Sequence, residues 1–166
     1  MDRYLSLLAW IFAFSISAVA QTKLVAVIDC DNADPQYTIQ APDQAGFFYR
    51  INQNKCKWTR GSALEGIESK DVVNIGFNDA KGASFGLAHR QVTHYTNGDK
   101  VFVAGTGNYN SKTLVSSGKW SYTGGTGKFR GLKGGGTYTC KSKGTEDTAG
   151  YTCDVEGEYT LPAAKK

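Results

Sequence analysis

Four cysteines, two histidines and one glycine-rich stretch beside a lysine are the residues whose type and spacing could carry chemistry here. The cysteines are Cys30, Cys56, Cys140 and Cys153. An even count in an exported chain reads as two disulfides, with three pairings open. A zinc site is the rival, but no C-x-x-C occurs and no cysteine lies near a histidine, so no metal is expected. His89 and His94 are five apart, an odd separation. On a regular strand they point to opposite faces, which argues against a shared catalytic or metal role. The glycine-rich stretch Gly124-Gly-Thr-Gly-Lys-Phe-Arg-Gly-Leu-Lys-Gly134 invites a phosphate-binding reading. It fails the P-loop pattern, because Tyr122 stands for the first glycine and Phe129 for the hydroxyl residue. It fails the dinucleotide pattern at Arg130, and no helix-forming segment follows. No cofactor is expected. The acids Glu65, Glu68, Asp71 and Asp79 fall near turns without the spacing of a catalytic pair, and no nucleophile elbow occurs.

The elements that hold these residues are strands. The chain of 166 residues suits one domain, and its 20 glycines, nine tyrosines and eight phenylalanines favour strands joined by tight turns. The first twenty residues stand apart. Arg3 gives a basic start, Leu7 to Ile16 an apolar run, and Ala18-Val-Ala20 a small-x-small cleavage pattern. Residues 1–20 therefore read as a secretory signal peptide and 21–166 as the mature domain, secreted or periplasmic. The apolar run is well short of the ~20 residues of a membrane span, and no later segment offers one. The net charge of +4 is scattered with no basic run, so no nucleic-acid partner is indicated.

In chain order, Thr22 to Ile28 reads as a strand and Tyr37 to Gln40 as a short extended piece. Phe47 to Asn52 and Cys56 to Arg60 read as extended, with Phe47, Tyr49 and Ile51 on one buried face. Around Ala63-Leu64-Glu65 a helical turn is conceivable. Val72 to Phe77 is a strand and Asn78 to Gly82 a turn. A hairpin follows about Asn97-Gly98, where a two-residue turn sets His94 opposite Val101 and Val92 opposite Val103. Lys119 to Thr123 carries Trp120 and Tyr122 on one face. Gly124, Gly125, Gly127, Gly131 and Gly134 then form a corner where a strand bends, with Phe129 as its apolar plug.

The last hairpin fixes its own register. If Cys140 faces Cys153, Tyr138 faces Val155, Gly136 faces Gly157 and Ser142 faces Tyr151. The other parity pairs Thr137 with Glu156, Thr139 with Asp154 and Lys141 with Thr152, all polar. A one-residue slip would mix the two faces. This favours Cys140–Cys153, which leaves Cys30–Cys56.

The corner Gly124 to Gly134 resembles the Gly-Gly-Thr-Gly-x-Phe-x-x-Ala-x-Gly stretch of plant dirigent proteins and the related strand corner of allene oxide cyclases, with Leu132 in place of the common alanine. The longer pattern of Trp120 to Tyr138 and Glu156-Gly-Glu-Tyr-Thr-Leu-Pro162, with Ile67-Glu-Ser-Lys70 and Asn97-Gly-Asp-Lys100, resembles a group of small exported bacterial proteins without an assigned activity. The resemblance implies an all-β fold: a single eight-stranded antiparallel β-barrel, allene-oxide-cyclase-like and related in shape to the calycins. It carries no activity, because the plant proteins' pocket residues lie outside the shared motif. The expectation is an exported barrel that binds a small apolar ligand, with Tyr49, Trp58, Trp120, Tyr122 and Tyr138 as candidate interior residues. The alternatives are a cyclase or isomerase acting on a hydrophobic substrate, and a non-catalytic envelope protein with an apolar outer patch.

Overall fold

The computed structural model describes residues 21–81, 84–146 and 148–162. The expected signal peptide, residues 1–20, lies outside them. Ten strands follow in order: β1 (Thr22–Cys30), β2 (Gln36–Gln40), β3 (Phe47–Arg60), β4 (Ala63–Leu64), β5 (Ile67–Lys81), β6 (Ser84–Tyr95), β7 (Lys100–Asn110), β8 (Val115–Gly125), β9 (Lys133–Ser142) and β10 (Tyr151–Thr160). Every pairing is antiparallel, and β3 pairs with β5 to close the sheet. Eight strands form the wall: β3, β1, β10, β9, β8, β7, β6 and β5. Strand β2 continues the course of β1 along β3 after a short excursion, and β4 makes a small hairpin with β5. Closure leaves the wall without a free edge, as expected for a barrel. Among the described residues no helix is long and apolar enough to cross a membrane.

Both disulfides are present, Cys30–Cys56 across β1 and β3 and Cys140–Cys153 across β10 and β9. The β9–β10 register is the one that the cysteines and polarity imply, with Tyr138 opposite Val155 and Gly136 opposite Gly157. One end of the barrel is closed by the glycine corner. Its single 3₁₀ turn, Gly127–Phe129, drops the fully buried Phe129 ring against Tyr95, with Leu132, Val101, Leu64 and Tyr159 also buried in this core.

Four expectations are corrected. The β6–β7 loop has three residues, not two: Gly98 N–H donates to Tyr95 O, and Tyr95 N–H to Asp99 O. Gly98, at φ 86°, supplies the left-handed residue that such a loop needs. The register therefore moves by one, setting His94 opposite Lys100 and Thr93 opposite Val101. Ala63-Leu64 is a strand, with Glu65 and Gly66 as its tight turn, not a helical turn. Strand β5 runs through Asn78 to Lys81, so the expected turn there is no turn at those residues; Gly82 lies outside the described ones.

The fourth correction bears on function. Phe47, Tyr49 and Ile51 face outward, and Tyr49 is 56 % exposed. The alternate residues Phe48, Arg50, Asn52 and Asn54 line the interior instead. Apolar parity misleads here because this part of the barrel is lined with amides.

Candidate ligand-binding site

An eight-stranded barrel is just wide enough for its side chains to fill it. This one retains an interior cavity of about 420 Å³. A helical belt of residues running across the wall shows why. In register it runs Leu24 (β1), Gly157 (β10), Gly136 (β9), Trp120 (β8), Gly105 (β7), His89 (β6), Gly76 (β5) and Asn52 (β3). Large side chains are interspersed with glycines. Trp120, His89 and Asn52 each lie against a glycine of the belt. A Cβ on Gly157 would sit 2.7 Å from the Trp120 ring, and one on Gly76 would sit 2.7 Å from Asn52 Oδ1. A Cβ on Gly105 would collide with the His89 imidazole. In the next row the Tyr138 hydroxyl occupies the space above Gly118 and Gly107. Trp120 Nε1 donates to the carbonyls of Thr137 and Glu156, 3.2 Å each, which pins the indole to the wall.

Trp58, Trp120, Tyr122 and Tyr138 line this cavity, whereas Tyr49 does not. The opposite wall carries amides in a directional chain. Asn78 Nδ2 donates to Asn52 Oδ1 at 3.4 Å, Asn52 Nδ2 to Asn54 Oδ1 at 2.9 Å, and Asn54 Nδ2 to the Asp31 carbonyl at 2.9 Å. Asn74 Nδ2 donates to the Tyr151 hydroxyl at 2.9 Å. Burial pushes the Tyr151 and Tyr122 hydroxyls up, so both remain protonated donors at neutral pH. Arg50 also lines the cavity; its guanidinium lies over Phe48, 4.7 Å from the ring centroid, and its Nε donates to Thr38.

Residues of the 143–150 loop, Thr145, Glu146 and Ala149, line the cavity at the end away from Phe129. Lys143 anchors that loop, pairing with Asp29 and donating to the Cys30 carbonyl at 3.0 Å. The hydrogen bond and charge of Lys143 hold the Asp29 carboxyl below its usual range. Ala33 and Gly150 add backbone links between the loop and the residues after β1.

The two histidines fall on opposite faces, as their spacing requires. His94 is outside, paired with Asp71. His89 is inside, edge-on to Tyr138 with ring centroids 5.4 Å apart. Sequence reasoning passed over His89 and the asparagines. Their signal was the glycine spacing: Gly105-x-Gly107 and Gly134-Gly-Gly136 place glycines at inward positions, and each needs a large neighbour to cover it.

The wall order and the closure of β3 on β5 can be compared with known proteins. Solved structures similar to this chain include the pterocarpan synthase dirigent protein PsPTS1, at TM-score 0.52 and 15 % identity over 85 % of this chain and 95 % of that one. The barrel has a dirigent-like fold. The pterocarpan synthase dirigent protein GePTS1 aligns at TM-score 0.46 and 15 % identity, over 86 % of this chain and 92 % of that one. No protein-family profile and no curated protein sequence matches the chain. The likeness is one of architecture, and the barrel here is lined in part by asparagine, histidine and tryptophan.

Proposed function

We propose that this protein is an exported barrel that holds one small planar ligand in its interior. The ligand has an apolar face and also hydrogen-bonding groups. The observation that carries this reading is the open cavity itself, kept clear by aromatic rings laid against glycines. Its volume falls in the range of small-molecule sites. The ligand is amphipathic, not purely apolar, because an apolar molecule would strip hydration from the Asn74 and Gln91 amides without replacing it. The role is binding and steering. The dirigent-like fold supports that role, since its structural neighbour is named for a reaction in which a dirigent protein takes part. Export rests on the pattern of residues 1–20, and two disulfides agree with an oxidising compartment. Kinship with the small exported bacterial proteins is part of the same reading.

Native mass spectrometry of the secreted protein tests it. A retained small molecule, or saturable binding of an anilinonaphthalene dye that Gly105→Leu abolishes, is the expected result. No bound mass and no dye binding would discard the carrier role. N-terminal sequencing should begin at Gln21.

A second reading is favoured by one observation. Tyr37, Ile39, Tyr49, Ile51 and Phe77 form an exposed apolar patch on the outer faces of β2, β3 and β5. Such patches commonly mark interaction surfaces. Sedimentation velocity on wild type and on Ile39→Lys tests it: a strictly monomeric wild type removes self-association from the account.

A further inference from the structure

His89 sits at the middle of the belt, between Gly76 on β5 and Gly105 on β7. Neither neighbour has a side chain to cover the imidazole. Among the described residues His89 makes no hydrogen bond or ion pair, and its one ring contact is with Tyr138. His89 is half-buried and lines the cavity. The ring therefore rests on Gly105 and faces the cavity. The contrast with His94 is direct, since the outward ring on the same strand is tied to Asp71.

Acceptor strength separates His89 from the rest of the lining. The amides of Asn78, Asn52 and Asn54 are linked in a chain in which the carbonyls of Asn52 and Asn54 already accept. The tyrosine and threonine hydroxyls are weak acceptors. Among the described residues lining the cavity the single carboxylate is Glu146, in the 143–150 loop. An imidazole that stays neutral offers one N–H and one lone pair, and that lone pair is the strongest acceptor in the middle of the barrel, away from Glu146 in the end loop. Burial, with Arg90 nearby, holds the ring neutral by pushing its pKa down to about 4.

We propose that His89 is the specificity-determining anchor of the cavity, accepting a hydrogen bond from an O–H or N–H group on a planar ring that lies against the aromatic wall. This rests on the cavity being a ligand site. No covalent bond forms and no proton is transferred. The imidazole selects ligands that can donate to it over isosteres that cannot, because an isostere would leave the buried nitrogen unpaired.

The test uses three probes on the disulfide-intact chain: naphthalene, 2-methoxynaphthalene and 2-naphthol, titrated by calorimetry. Wild type should bind 2-naphthol at least tenfold tighter than 2-methoxynaphthalene. His89→Phe should bring the two within about twofold while naphthalene binding persists, and His89→Gln, which keeps an acceptor, should retain part of the preference. Long-range ¹H–¹⁵N spectra of the wild-type imidazole add a readout that needs no variant: the acceptor nitrogen should shift on adding 2-naphthol and stay put with naphthalene. If all three probes bind wild type equally, the anchor is wrong and the cavity reading stands. If none binds, the cavity reading fails and the anchor with it. A silent imidazole in the presence of bound 2-naphthol also overturns the anchor.

Discussion

The ring of Phe129 meets that of Tyr95 with centroids 4.5 Å apart, and this contact closes one end of the barrel. Phe129 is wholly buried, whereas the adjacent Lys128 side chain is exposed and contributes only its backbone N–H, to Asp99. Phe129→Ala should cost ~3–5 kcal/mol, the usual range for emptying a packed aromatic site. Lys128→Ala should stay within about 0.5 kcal/mol. Urea denaturation of the two variants checks both; equal midpoints would mean that the corner is not a plug.

Gly105 and His89 should be coupled. A methyl at Gly105 takes space that the imidazole now fills. Gly105→Ala should destabilise by ~1–3 kcal/mol, as overpacking does. Combining it with His89→Ala should recover part of that loss. A double-mutant cycle reads the coupling, and strict additivity would show that the ring does not rest on the glycine.

The disulfides staple four consecutive wall strands, β3, β1, β10 and β9. With cysteines 26 and 13 positions apart, each should stabilise the fold by about 3 kcal/mol through loop closure. Cys30→Ala/Cys56→Ala and Cys140→Ala/Cys153→Ala, each as a pair, should lower the melting temperature by comparable amounts. Differential scanning calorimetry decides it.

Stability should fall in mild acid through His89. Its folded pKa of about 4 lies below the ordinary value of 6.5, so between these limits the unfolded chain binds the proton and the folded one does not. The contribution is complete above pH 6.5 and is lost as pH drops toward 4, at up to ~1.4 kcal/mol per pH unit for one group. Carboxylates titrate in the same window, so the comparison is with His89→Gln. The difference in unfolding free energy between wild type and variant should shrink from pH 7 to pH 4. A constant difference would place the imidazole in water.

Much of the scaffold was legible because local rules agreed with the final structure. Alternation and the two cysteines fixed the β9–β10 pairing, since any slip would have buried Thr139 and Asp154. Odd spacing placed His89 and His94 on opposite faces. The β6–β7 register failed by one residue because Asn97-Gly98 can close either a two- or a three-residue loop, and hydrogen bonding between Tyr95 and Asp99 selects the latter. Tyr49 failed for a different reason. Its strand has one apolar and one polar face, and the rule that apolar residues go inside does not hold where the interior is a lined cavity.

The sequence by itself determined most of the wall strands, the pairing of the cysteines, the glycine corner with its Phe129 plug, and the opposite facing of the two histidines. Each follows from residue type, parity or separation along one hairpin. Tertiary structure decided what the interior is. Pairing of β3 with β5 brings Asn52 beside Gly76, and through β6 beside His89. Pairings of β7 with β8, β8 with β9 and β9 with β10 carry the same belt from Gly105 through Trp120 and Gly136 to Gly157. Whether a large side chain crosses the axis or lies on a glycine depends on the register between strands across the whole closed sheet. That register is set by barrel closure, which no single stretch of the chain encodes.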